Sequence, residues 1–140
     1  MKLIPVSLAL FYSYSHPKLK VWTQVRTDSG PYEGLLEFPG GGIESGEVPL
    51  EAAIREVEEE VGIRVDPNLG RYMGTYVNES PSRRILLYVH LFPAVDDLTD
   101  KGHWLEVEEK LLSSPYVGKI PKPNHQIIDD LFRYLYDEAQ

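Results

Sequence analysis

Residues 41–63 read GGIESGEVPLEAAIREVEEEVGI, and the glutamates in this stretch recur at spacings that could do chemistry. On a helix turning about 100° per residue, Glu56, Glu59 and Glu60 share one arc of the surface through their i, i+3 and i+4 spacing. Arg55 lies beside Glu59 and one turn after Glu51, so ion pairs would fix that side, while Glu58 points away into solvent. Two carboxylates about 4 Å apart repel by roughly 4 kcal/mol at an effective dielectric near 20, and a single arginine offsets only part of that. A hard divalent cation such as Mg²⁺ relieves the rest, because carboxylate and carbonyl oxygens are its preferred ligands. The turn Gly40-Gly41-Gly42 supplies backbone that can approach an ion or a phosphate closely. A cation held there would bridge protein carboxylates to a substrate phosphate and activate a water for attack. A lone Glu-Glu pair is ordinarily a solvated surface; the spacing of the whole segment is what points beyond that.

These side chains need elements to hold them. Pro49–Val61 reads as the best helix in the chain, with Pro49 in the first turn, acids in the N-terminal half and Gly62 as C-cap. Leu50, Ala53, Ile54, Val57 and Val61 fall on the arc that must pack on a sheet. Strands are expected at Val6–Tyr14, Leu19–Val25, Leu35–Phe38, Gly70–Val77, Arg83–Phe92 and His103–Val107, with Asn78–Ser82 as a hairpin loop. A short helical segment near Glu108–Ser113 and a Pro-punctuated stretch, Pro115–Pro123, lead to a closing helix, Asn124–Glu138. In that helix Ile127, Ile128, Leu131 and Leu135 recur at helical spacing and should face the core. Tyr12, Tyr14, Tyr72, Tyr76 and Tyr88 read as strand and core residues, and His16, His90 and His125 have no constellation around them. Several strands, a central helix and a C-terminal helix indicate an α+β or α/β/α layered fold.

The 140 residues, without a repeat or a Gly/Ser linker, read as one domain. Cysteine is absent, which excludes a disulfide framework, a thiolate metal site and a catalytic cysteine. Such a chain suits a reducing cytoplasm. The apolar N-terminal run continues into tyrosines and β-branched residues without a small-residue cleavage site, favouring a first strand over a signal peptide. No run approaches the ~18 apolar residues of a membrane span. The net charge of −8 opposes non-specific binding to a nucleic-acid backbone. Its distribution says more: residues 41–63 hold seven glutamates and one arginine, −6 of the −8. Cancelled by bound cations, that acidity becomes a site for a polyphosphate, so its location predicts a nucleotide substrate.

Gly41–Ile63 resembles the signature of the Nudix hydrolase family, G-x5-E-x7-R-E-U-x-E-E-x-G-U with U a bulky aliphatic residue. The fixed positions fall on Gly41, Glu47, Arg55, Glu56, Val57, Glu59, Glu60, Gly62 and Ile63, without departure. The resemblance implies an α/β/α sandwich with a mixed sheet, the box forming a loop–helix–loop that binds Mg²⁺ or Mn²⁺. It implies hydrolysis of a nucleoside diphosphate linked to a further group. By position, Glu56, Glu59 and Glu60 would hold metal with the Gly41 carbonyl, and Glu56 would double as general base. Arg55 would orient the carboxylates through its fork of donors, Glu47 would tie loop to helix, and Gly62 would be structural.

Three features outside the box resemble the MutT branch, which hydrolyses oxidised guanine triphosphates to monophosphate and pyrophosphate. Leu36-Glu37-Phe38-Pro39-Gly40-Gly41 is similar to that branch's entry, whose backbone lines the base pocket. Arg26, eleven residues before Glu37, matches a phosphate-contacting arginine. Pro121-Lys122-Pro123-Asn124 is similar to the P-x-x-N stretch whose asparagine reads the purine. The Asn124 amide has the donors and acceptor to bind a guanine edge, and capping the last helix is an equally good use of it. Two positions depart from the branch: Pro31 replaces a histidine, and His103 replaces an acid before Trp104. The implied substrate is a purine nucleoside triphosphate of the 8-oxo-dGTP or dGTP kind. RNA 5′-end pyrophosphohydrolysis, hydrolysis of another nucleoside diphosphate derivative and a catalytically silent nucleotide-binding module are the alternatives.

Overall fold

The computed structural model describes residues 2–27, 29–98, 102–108 and 119–139. The chain divides into two compact units, Met1–Phe11 with Phe38–Thr99, and Tyr12–Glu37 with Asp100–Gln140. The fold is α+β as expected. Among the described residues it has seven strands, two long helices and two short 3₁₀ turns.

In the first unit the opening residues of strand β1 (Lys2–Ser15) are a core strand, with Leu8, Ala9, Leu10 and Phe11 all buried. Strand β4 (Gly40–Gly42) pairs antiparallel with it, setting Val6 opposite Gly42, Ser7 opposite Gly41 and Leu8 opposite Gly40. Strands β5 (Arg71–Glu79) and β6 (Arg83–Pro93) form an antiparallel hairpin. Its turn is tighter than the expected Asn78–Ser82 loop. Asn78 pairs with Ile85 and Glu79 with Arg84, and the Ser80 N–H donates to the Arg83 carbonyl at 2.9 Å. Phe11 stacks on Phe92, with ring centroids 5.5 Å apart.

Helix α1 spans Pro49–Val61 with the bounds the sequence indicates, and Gly62 closes it at φ 80°, donating its N–H to the Glu58 carbonyl. Its packing face differs from the expected arc. Ala52, Ala53 and Val57 are buried, whereas Leu50, Ile54 and Val61 are half-buried. The helix lies on β4 and β6. Glu51 also departs from expectation. Its carboxylate accepts the Val48 N–H at 2.9 Å, satisfying a free amide at the helix start, rather than pairing with Arg55.

In the second unit the end of β1 pairs antiparallel with β2 (Lys18–Val25), from Tyr12 opposite Val21 to Ser15 opposite Lys18. Strand β2 also pairs with β3 (Leu36–Glu37) and with β7 (His103–Glu108). Helix α2 (His125–Ala139) buries Ile127, Ile128, Leu131 and Leu135, the four residues its spacing singled out, together with Phe132. It begins after Asn124, because Lys122–Asn124 forms a 3₁₀ turn of its own. Glu108 belongs to β7, and the remainder of the helical segment expected near Glu108–Ser113 lies outside the described residues. No described helix is long and apolar enough to cross a membrane.

Candidate active site

The site is organised by one guanidinium. Arg55 grips the Glu47 carboxylate with two donors, Nε to Oε2 at 2.7 Å and Nη2 to Oε1 at 3.0 Å. Its Nη2 also donates to the Gly42 carbonyl at 2.9 Å, so one side chain ties helix α1 both to β4 and to the loop that follows it. Its Nη1 donates to Glu56 Oε1 at 2.9 Å and to Glu59 Oε2 at 3.4 Å, and lies 3.7 Å from Glu44. The fork geometry suits bidentate carboxylate pairing in a way a lysine cannot match. The Arg55 hydrogen bond, reinforced by the backbone N–H of Glu44, holds the Glu47 carboxyl below the usual carboxylate range. Arg55 in turn is held protonated, chiefly by Glu47 and then, against a desolvation cost, by Glu56.

Glu56 is set against the glycine turn. A Cβ added at Gly41 would lie 2.5 Å from Glu56 Cδ and from Oε1, so the carboxylate occupies space that only glycine leaves open. Glu56 Oε1 is taken by Arg55, and Oε2 makes no hydrogen bond to a described residue. Glu60 reaches the same turn from the next helical level, its Oε2 accepting the Gly40 N–H at 3.4 Å. Glu58 leaves the cluster, as expected, and lies 3.5 Å from Arg64.

The other sequence-indicated residues divide between the units. Phe38 and Pro39 are buried in the first, where the Pro39 carbonyl accepts the Ala9 N–H at 2.9 Å. Arg26, Glu37 and Asn124 belong to the second. Arg26 lies 3.5 Å from Glu37 and sits over the Tyr32 ring, its Cζ 5.9 Å from the centroid. Asn124 is half-buried, and its N–H donates to the Pro121 carbonyl at 2.9 Å. His103 and Pro31 are exposed, and the His103 carbonyl accepts the Thr23 hydroxyl at 2.6 Å.

Two expectations are corrected. Tyr72 is 57% exposed rather than core, because it lies on β5, which has β6 on one side only among the described residues. His90, expected to stand alone, is buried beside Ser7, whose hydroxyl lies 3.2 Å from Nδ1. A serine inside the otherwise apolar run Val6–Phe11 is the signal that could have found this pair.

The model of the NUDIX domain family matches residues 11–117. The chain belongs to the Nudix family. Diphosphoinositol polyphosphate phosphohydrolase 2 of Homo sapiens is 36% identical over 90 residues, a match covering 59% of this chain and 49% of that protein. The chain thus spans about half the length of the curated relatives it matches. A MutT/nudix family protein from Enterococcus faecalis superposes with a TM-score of 0.72 at 18% identity, covering 98% of this chain and 63% of that one. The E. coli ORF135 protein superposes with a TM-score of 0.62 at 26% identity, covering 91% of each chain. These likenesses show the Nudix fold, with its mixed sheet and C-terminal helix.

The oxygens of this Nudix box fit a hard divalent cation in type. Among the described residues no three acidic or imidazole side chains converge as a ready-made cage. Instead Glu56 and Glu60 both rest on the Gly40-Gly41 turn. Two carboxylates completed by water and substrate phosphate are the usual setting for Mg²⁺. The cradle gives a direct prediction. Gly41→Ala should push the Glu56 carboxylate aside and lower kcat by about 100-fold, with circular dichroism unchanged. A variant that turns over normally would show that the cradle does not set the Glu56 position.

Proposed function

We propose that this Nudix chain is a divalent-metal-dependent hydrolase that cleaves a phosphoanhydride bond of a purine nucleoside triphosphate, of the 8-oxo-dGTP or dGTP kind, to monophosphate and pyrophosphate. The observation that carries the reading is the Glu56 carboxylate, seated on Gly41 with one oxygen on Arg55 and the other open. A binding module has no need of such an arrangement. Glu56, Glu59, Glu60 and the Gly41 carbonyl would hold the metal. When bound, it neutralises charge developing on the phosphoryl oxygens. Arg55 orients Glu56 through its Nη1 donor. Glu56 takes a proton from the attacking water as its oxygen bonds to phosphorus, the anhydride P–O bond breaks, and pyrophosphate leaves with the electron pair. Glu47 holds Arg55 in place from the loop side. Arg26 contributes positive charge for phosphate, and Glu37, Phe38, Pro39 and Gly40 belong to the entry run of the base pocket.

A second reading comes from the curated relatives, which are named as diphosphoinositol polyphosphate phosphohydrolases. The run Leu36-Glu37-Phe38-Pro39-Gly40-Gly41, with Arg26 and Asn124, instead resembles the MutT pattern that goes with a nucleoside triphosphate. The triphosphate is therefore favoured. A panel of nucleoside triphosphates, capped and triphosphorylated RNA, nucleotide sugars and a diphosphoinositol polyphosphate, scored for pyrophosphate against orthophosphate, decides the matter. Pyrophosphate release from purine triphosphates supports the proposal. Turnover confined to the inositol substrate or to RNA ends refutes it, and binding without turnover reveals a silent module. Asn124→Ala should raise KM for purine triphosphates by about 10-fold, the value of one lost amide–base pair of contacts, and spare pyrimidine ones. An equal loss on both would assign Asn124 to the helix start alone.

A further inference from the structure

Ser7 and His90, with Thr23, are the buried polar residues among the described positions, and the first two touch. The Ser7 hydroxyl donates to the carbonyl of Pro49, the first residue of helix α1, at 2.6 Å. With its one proton spent there, Ser7 Oγ can only accept from His90, so Nδ1 carries the hydrogen across the 3.2 Å contact. The Leu8 carbonyl, also 3.2 Å from Nδ1, is a second acceptor for that nitrogen, and the Tyr88 carbonyl is a further acceptor for the ring. The backbone of Ser7 lies opposite Gly41 in the β1–β4 ladder. A Cβ at Gly40 would lie 2.2 Å from the Ser7 carbonyl, which shows how closely the two strands meet. One buried residue thus fixes the turn that cradles Glu56 through its backbone, and the helix that carries Glu56 through its side chain.

We propose that Ser7 and His90 are positioning residues, a buried clamp that sets the first turn of α1 against Gly41 and so holds the Glu56 carboxylate in its cradle. Arg55 ties loop to helix from the outer side, and the clamp ties strand to helix from beneath. The inference rests on the hydrolase reading, in which Glu56 is the reacting carboxylate. Its geometric content stands apart from which substrate is used.

The test uses three variants of the full chain. Ser7→Ala removes the helix tie, His90→Phe keeps a ring and removes the donor, and His90→Asn places an amide N–H where Nδ1 stood. Two readouts are taken: kcat and KM on the best substrate of the panel above, and the ¹³C carboxyl resonance of Glu56 in metal-free protein, with Glu58 as internal control. Ser7→Ala and His90→Phe should lower kcat roughly 10- to 30-fold with KM within about 2-fold. Both should shift the Glu56 resonance and leave that of Glu58 in place. His90→Asn should restore both readouts to near wild type. Unmoved Glu56 in Ser7→Ala, or an Asn variant no better than the Phe variant, overturns the clamp. Should the wild type turn over nothing in the panel, the hydrolase reading fails while the resonance still decides the clamp.

Discussion

Glu56→Gln should lower kcat by about 1000-fold while leaving the melting temperature within about 3 °C of wild type. The amide oxygen can still accept from Arg55 Nη1, and the side chain has the volume to fill the cradle over Gly41. What it cannot do is accept a proton from water or carry negative charge. The substitution therefore separates the chemical role of the residue from its place in the fold. Steady-state kinetics with differential scanning calorimetry would show it. Retention of more than about a tenth of the activity would remove Glu56 as general base. Glu58→Gln, outside the cluster and paired with Arg64, should leave kcat within about 2-fold.

Arg55→Ala should damage activity and folding together. It strips Glu47 of two hydrogen bonds and Glu56 of one, and frees Glu44, Glu47, Glu56 and Glu59 to repel one another. A fall in kcat of about 100-fold or more follows from misplacing Glu56 alone, and the melting temperature at pH 7 should drop on the order of 5 °C. The stability loss has a pH signature. The Glu47 carboxyl is depressed in the folded protein by Arg55, so its contribution is complete above the ordinary carboxylate value of about 4.3 and is lost as pH falls through the lower folded value. The gap between wild type and variant should therefore begin to close as pH falls below about 4.3 and go on narrowing at lower pH. A gap that stays constant from pH 7 to pH 3 would show that the Arg55–Glu47 pair does not hold the loop. Arg55→Lys should recover little of the activity, because an ammonium cannot span Glu47, the Gly42 carbonyl and Glu56 together.

What could be read in the sequence was what is local. Helix α1 announces itself through Pro49, Gly62 and the spacing between them, all within one continuous segment, and its ends fall where the residues put them. The tie of loop to helix by Glu47 came only through the Nudix resemblance, and no spacing argument pairs that residue with Arg55. The buried face of that helix was not legible, since Ala52 lies off the arc of larger apolar residues and is nonetheless buried. Glu51 shows local competition: an amide three residues before it holds the carboxylate in place of an arginine four residues after it. Ser7 and His90 are 83 residues apart, and sheet register alone makes them neighbours. The strand-ends of β5 and β6 ran past their turn residues because cross-strand pairing continued through Asn78 and Glu79.

The three glycines of β4 meet three different surroundings, and this separates two ways in which a protein can fail in a cell. A side chain at Gly40 collides with the backbone of Ser7, so changes there should reduce how much protein accumulates. One at Gly41 collides only with the end of the flexible Glu56 side chain, so the protein should persist at normal abundance while its specific activity collapses. At Gly42 an added Cβ meets nothing within 4 Å, and small residues should be borne with neither quantity much altered. Scored for abundance and for turnover in parallel, three adjacent codons would thus report on assembly, on chemistry and on neither.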